Sequence, residues 1–387
     1  MIDRSLTPKL TALAEIFQVI TLTGPRQSGK TTLVRSVFPS LPYASLEEPD
    51  TRQLALNDPR GFLSNYPNGA ILDEVQHTPD LFSYIQTIVD QNRNTRYILT
   101  GSSNFLLLEK VSQTLAGRTA ILHLLPLSNA ELSAAGISFD DYETAIFYGH
   151  YPRIFDREIA PGDFYPANIQ TYVERDVRLI KNIEDVNAFI QFVQLCAGRT
   201  GQLLNLSSLA NDAGISPNTA RSWISILEAS YIVYRLQPFH KNFSKRIIKS
   251  PKLYFHDTGI VCSLLGLTEP DQVRHHYLKG ALFENLVINE LIKYDFNQGE
   301  HRYPHFWRDN HGHEIDCILQ EGPEIVPIEI KAGRTRSTRH FDQLVYWREL
   351  AGISETRGSV VYGGDESVQT SSGNLVSWKQ MERIRKS

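Results

Sequence analysis

Gly24-Pro25-Arg26-Gln27-Ser28-Gly29-Lys30-Thr31 has glycines at its first and sixth positions, followed by Lys and Thr. The β-branched run Val19-Ile20-Thr21-Leu22 precedes it, and residues 30–37 carry helical apolar spacing after it. Glycine lets the backbone turn several N–H groups toward one anion. A helix that opens at Lys30 adds the positive end of its dipole. Lys30 is then placed to reach the β and γ phosphates of a nucleotide, and the Thr31 hydroxyl to ligate Mg²⁺. The spacing predicts binding of ATP with Mg²⁺ on residues 24–32, Thr32 included.

Outward from the loop, Ala70-Ile71-Leu72-Asp73-Glu74 is an apolar strand that ends in two acids. Asp73 at the carboxyl edge of a sheet can hold Mg²⁺, and Glu74 is suited to polarise an attacking water. A third strand, residues 97–100, runs into Gly101-Ser102-Ser103-Asn104, whose polar side chains are candidates to sense the γ-phosphate. Arg118 is a candidate arginine finger, for its own site or for a neighbour's. Helices are expected at 81–89 and 105–115, and a further strand at 119–125. Strands alternating with helices at this spacing predict an α/β domain over 1–130, with a parallel sheet covered on both faces.

The chain has 387 residues, enough for two or three domains. A net charge of −4 excludes a globally basic nucleic-acid binder without excluding a local basic face. Cys196, Cys262 and Cys317 form no CxxC pair, which argues against a zinc ribbon or disulfide framework and fits a reducing cytosol. No basic-plus-apolar leader opens the chain, and no apolar run nears the roughly 20 residues that span a bilayer. A soluble, cytoplasmic protein without a membrane partner is expected.

Residues 131–202 read as a helical region. Residues 206–228 form a helix-turn-helix, with Ser216 as cap and Pro217 at the first helical position. Ile215, Ala220, Ile224 and Leu227 are its expected buried stripe, leaving Asn218, Thr219, Arg221 and Ser222 outward, where such a helix meets DNA. A strand at 231–236 and the segment 240–252, with five Lys or Arg and no acid, complete a winged helix over 203–270. Beyond it, a helix at 281–293, strands at 314–319 and 325–330, a helix at 341–350 and a strand at 359–362 make an α+β domain over 271–387. Period two puts Glu329 and Lys331 on one face. Asp316 and Glu329 are candidates to share a divalent cation beside Lys331, with Glu284 as a further carboxylate and Gln343 nearby. Arg334, Arg336 and Arg339 make a basic rim. His301, His305, His311 and His313 lack zinc-ligand spacing and read as loop histidines.

The loop, the Asp73-Glu74 pair and the polar end of the third strand resemble AAA-type ATPases. More narrowly, residues 24–32, 46–59, 72–76, 100–104, 115–118 and 172–178 resemble a bacterial and archaeal family. Its members join such an ATPase to a carboxy-terminal domain of unknown function. A double glycine is expected before Tyr151-Pro152 in that family, and this chain has Gly149-His150. The D…E-x-K order of Asp316, Glu329 and Lys331 resembles the restriction-endonuclease fold. The loop, the basic wing and the D…E-x-K strands together point to ATP turnover coupled to DNA binding or remodelling, with a homo-oligomer as a further expectation. A protein-interaction switch without nucleic acid and an ATP-gated, metal-dependent nuclease are the competing readings.

Overall fold

The computed structural model describes residues 2–102, 111, 113–172, 185–239, 248–322, 324–353 and 358–386. Ser103, Asn104 and most of the expected helix 105–115 lie outside them. So do residues 173–178 of the family-like stretch and 240–247 of the basic segment.

Val19–Thr23 (β1) is buried at every position, as a continuous apolar-and-threonine run requires in a sheet with no wet face. It pairs in parallel with Tyr97–Gly101 (β4) and Thr119–His123 (β5). Tyr43–Ser45 (β2) and Ile71–Asp73 (β3) complete the order β2-β3-β4-β1-β5. Alternation along the strands feeds two cores. Val19, Leu72 and Leu99 pack with Phe62, Phe82, Ile85 and Val89 on one face. Ile20, Leu22, Ile71 and Ile98 pack with Leu10, Leu33 and Val34 on the other. Full burial of each such side chain is worth about 1.5–3 kcal/mol. The three-residue β2 is too short for its period to show in the sequence.

The second sheet has the order β12-β13-β11-β10-β9-β8-β6-β7. Its strands are Val233–Pro238 (β6), Lys252–Phe255 (β7), His305–Arg308 (β8), Glu314–Glu321 (β9), Glu324–Lys331 (β10), Ser359–Tyr362 (β11), Val368–Thr370 (β12) and Gly373–Ser377 (β13). The helix Lys279–Asn297 leads into an antiparallel β8-β9-β10 meander, and the helix Asp342–Ala351 then returns the chain to β11, parallel to β10. Trp307, Ile315, Ile318, Leu344, Trp347 and Val360 form its core.

The chain divides into two compact units. The first holds residues up to Leu127, together with Ala229–Tyr231 and Asp295–His301, and the remainder forms the second. The strand after the helix-turn-helix, β6, pairs with β7 on one side and β8 on the other. The strand expected from residue 231 begins at Val233 instead. Tyr231 has φ 57°, a left-handed conformation no strand residue adopts.

Helices Leu206–Asp212 and Pro217–Ala229 take the expected places. The Ser216 hydroxyl accepts from the Thr219 amide at 3.0 Å, capping the second helix. Ala220, Ile224 and Leu227 are buried, and Trp223 joins them between Phe189 and Phe192. All three cysteines are buried, and none is joined in a disulfide among the described residues. Among the described residues, no helix is long and apolar enough to cross a membrane.

Candidate functional site

The phosphate loop leaves β1 at the carboxyl edge of the first sheet, the edge where open α/β sheets bind ligands. Gly24 has φ 151°, and a Cβ there would meet the Leu124 carbonyl oxygen at 2.2 Å, so only glycine fits. Gly29, with φ 93°, turns the chain into the helix Lys30–Val37. Arg4 braces the turn from outside the motif, donating to the carbonyls of Ser28 at 2.6 Å and Leu125 at 2.7 Å. Lys30 curls back, its Nζ donating to the carbonyls of Gly24 at 2.9 Å and Pro25 at 2.8 Å. Arg26 is half-buried, Gln27 and Thr32 are exposed, and the buried Ser28 hydroxyl has no partner among the described residues.

Asp73 closes β3, and neighbouring strands supply its donors. The Thr31 and Tyr43 hydroxyls each donate to Oδ2 at 2.8 Å, and Thr100 donates to Oδ1. Burial, reinforced by the Asp73 carboxylate, raises the Tyr43 pKa above the usual tyrosine range. Glu74 has φ 54°, and its Oε2 accepts from Ser102 at 3.1 Å and from Gln76. A left-handed glutamate costs conformational energy and persists where surrounding contacts fix it. A hydroxyl and a carboxylate joined at 2.8 Å are the hard oxygen donors that Mg²⁺ takes. Lys30, Thr31, Asp73, Glu74 and Ser102 thus come together at one sheet edge. Arg4, Tyr43, Gln76 and Thr100 join them without a motif to announce them.

Arg118 does not reach this edge. It precedes Thr119, which pairs with Val19 at the start of β1, so it lies at the amino edge of the parallel sheet. There its guanidinium holds Asp90, at 2.6 Å from Nε and 2.9 Å from Nη2. A role of Arg118 in its own site is corrected by that placement. Asn104 lies outside the described residues.

In the second unit, Asp316 and Glu329 face each other on β9 and β10. The Asp316 Oδ2 accepts from the Ile330 amide at 2.7 Å and lies 4.0 Å from the Lys331 ammonium. Lys331 pairs with Glu329. Burial, with Glu329 and Glu284 close by, holds the Asp316 pKa well above the carboxylate range. Burial also pushes Glu329 up to about 7 against the opposing pull of Lys331. Two residues outside the expected set complete the cluster. Glu314 joins Glu284 and Asp316 in a group of carboxylates whose oxygens lie within 4.8 Å. Lys252, from the expected basic wing, is buried among them, 2.8 Å from Glu284 and paired with Glu314. Burial works against its charge, but Glu284 and Glu314 outweigh it and raise its pKa.

The Gln343 Oε1 is buried without a partner among the described residues. Of the expected basic rim, Arg334 pairs with the buried Glu143 and Arg336 with Glu366, and all three arginines, Arg339 included, are exposed. His313 stacks on Tyr346 and His301 on His123, so these histidines form no cluster. His150, at the departure from the expected double glycine, is buried. Its amide donates to Asp257 at 2.8 Å, and a ring nitrogen lies 2.9 Å from Asn129 Oδ1.

Residues 17–133 match the family described as AAA domain. Residues 139–271 and 279–381 match two further families, each described as a domain of unknown function (DUF8612 and DUF4143). An uncharacterized protein of Mycobacterium tuberculosis is 28% identical over 349 residues, covering 90% of this chain and 77% of its own length. An uncharacterized protein of Methanocaldococcus jannaschii is 21% identical, covering 82% of this chain and 76% of its own length. A solved Walker-type ATPase of Pyrococcus abyssi is similar at 13% identity and a TM-score of 0.47, covering 68% of this chain and 96% of its own. The match to an AAA domain over residues 17–133, with the parallel sheet and loop of the first unit, supports a P-loop NTPase domain there.

Proposed function

We propose that the chain binds and hydrolyses ATP at the 24–32 loop and couples turnover to DNA through its second unit. The observation that carries the hydrolytic half is the shared carboxyl edge. There the Thr31 hydroxyl donates to Asp73, and Glu74 sits one residue on, held by Ser102 and Gln76. Backbone amides of residues 26–30 and the Lys30 ammonium bind the phosphates, and Thr31 and Asp73 would hold Mg²⁺. When bound, the metal neutralises charge that develops on the phosphates. The Glu74 carboxylate orients a water and takes its proton, and Ser102 fixes that carboxylate.

The DNA half is supported by the capped helix Pro217–Ala229, which leaves Asn218 and Arg221 exposed. Turnover measured with and without duplex DNA tests it. Stimulation that fades with rising salt supports the coupling, because phosphate contacts release counterions. Identical turnover with and without DNA at about 50 mM salt, where such contacts are strongest, rejects it in favour of the protein-interaction switch.

The α-β-β-β-α-β order from Lys279 to Tyr362, with Asp316, Glu329 and Lys331 on adjacent strands, supports a nuclease-like fold for the second unit. Cleavage is not part of this proposal.

A further inference from the structure

A divalent-cation centre needs carboxylate oxygens that converge and are left open to the ion. The oxygens of Glu284, Glu314 and Asp316 do converge, within 4.8 Å of one another. They come from the helix Lys279–Asn297 and from alternate positions of β9, so helix and sheet fix their spacing independently. The space between them is filled from within the chain. Lys252, the first residue of β7, has a side chain only 3% exposed, and its ammonium contacts both Glu284 and Glu314. The ammonium also lies 5.4 Å from the centre of the Phe306 ring. Tyr254, two residues on and so on the same strand face, donates to the same Glu284 oxygen. Arg308 takes the other Glu314 oxygen at 3.2 Å.

One atom of the wider cluster is left over. The Glu329 Oε2 is buried and without a hydrogen-bond partner among the described residues, although Lys331 holds its neighbour. Four carboxylates thus meet three cationic side chains, Lys252, Arg308 and Lys331, and one buried carboxylate oxygen is left without a donor among the described residues.

We propose that Lys252 is the resident cation of a divalent-cation site formed by Glu284, Glu314 and Asp316, and that Lys252 and a divalent ion are mutually exclusive occupants. A divalent ion within bonding distance of Glu284 and Glu314 would meet the ammonium at near-contact range, where repulsion in a half-buried pocket is strong. Lysine suits this part because its charge is compact and rides on a flexible stem. With Lys252 in place, the site of Glu284, Glu314 and Asp316 is closed to metal, whatever the first unit does with ATP.

Mn²⁺ binding to the full chain, followed by electron paramagnetic resonance and calorimetry without nucleotide, tests this. Wild-type protein should show no saturable Mn²⁺ site that depends on Glu314. Lys252→Met should gain one such site, and Lys252→Met/Glu314→Gln should lose it again. Wild-type binding that vanishes in Glu314→Gln overturns the proposal. So does a cooperatively folded Lys252→Met variant that binds no Mn²⁺. If Lys252→Met does not fold alone, refolding by Mn²⁺ supports the proposal. Absent refolding, the comparison of wild type with Glu314→Gln decides it.

Discussion

The two polar centres of this chain handle their charges in opposite ways. At the phosphate loop, Asp73 is held by the hydroxyls of Thr31, Tyr43 and Thr100, and the Lys30 ammonium rests on the backbone carbonyls of Gly24 and Pro25. Hydroxyls and backbone carbonyls there hold the two groups in place. At the second centre, Glu284 and Glu314 face Lys252, and Glu329 faces Lys331. Charges there are cancelled inside the chain. A centre of the first kind is set for an incoming ion, whereas one of the second kind must lose an internal partner first.

The largest effect that would break this contrast is expected at Glu74. Glu74→Gln should retain nucleotide binding while turnover falls by about 10²–10⁴-fold, the worth of a positioned general base. Stopped turnover with unchanged binding of a fluorescent nucleotide analogue is the expected pair of readings. Wild-type turnover in this variant would remove Glu74 from the mechanism.

At the second centre, Lys252→Ala leaves paired, mostly buried carboxylates without their cation. Thermal or denaturant unfolding should register a loss of about 3–5 kcal/mol. Lys331→Ala should cost far less, because Lys331 is 36% exposed and water screens its pair. Equal losses in the two variants would show that burial does not set the strength of the centre.

Protonation gives a smaller, signed effect. Burial raises the Glu329 pKa to about 7, so the folded state keeps a proton that the unfolded chain releases near its ordinary glutamate value. Stability from this group is present below that ordinary value and is lost as pH rises toward 7. Unfolding midpoints of wild type should therefore decline over that window, and Glu329→Gln should flatten the decline.

Tyr43→Phe removes one donor to Asp73 and leaves Thr31 and Thr100 in place. The Mg²⁺ concentration for half-maximal turnover should rise about 10-fold, the lower end for outer partners of a metal ligand. An unchanged Mg²⁺ dependence would reduce Tyr43 to packing. The smallest effect is expected at Arg118, paired with Asp90 at the far edge of the sheet. Arg118→Ala should leave turnover unchanged in dilute, monomeric protein. A loss confined to high protein concentration would assign it to a neighbouring copy's site.

Local readings survived folding where backbone conformation was the cause. Gly24 and Gly29 have the positive φ that their spacing implied, and Ser216 and Pro217 open their helix as capping chemistry requires. Asp73 ends its strand at the carboxyl edge for the same reason: an apolar run that stops at an acid stops where the sheet does. Failures came where a side chain's partner lies far along the chain. Lys252 reads as one cation in a basic segment, yet its partners lie 32 and 62 positions on, at Glu284 and Glu314. Arg334 and Arg336 look free of acids until Glu143 and Glu366 fold against them. Arg118 sits between a helix and a strand in any reading, and only the register of β5 against β1 shows that it faces away from the loop.

The sequence by itself determined the phosphate loop at residues 24–32 and the acids that accompany it. These follow from torsional freedom, strand periodicity and residue chemistry within a few positions. Tertiary structure alone decided that Tyr43 and Thr100 hold Asp73, that Arg4 braces the loop, and that the strands after the helix-turn-helix belong to the larger sheet. It alone placed Lys252 among the carboxylates. Charge pairing and strand register depend on distance in space, which the order of residues does not contain.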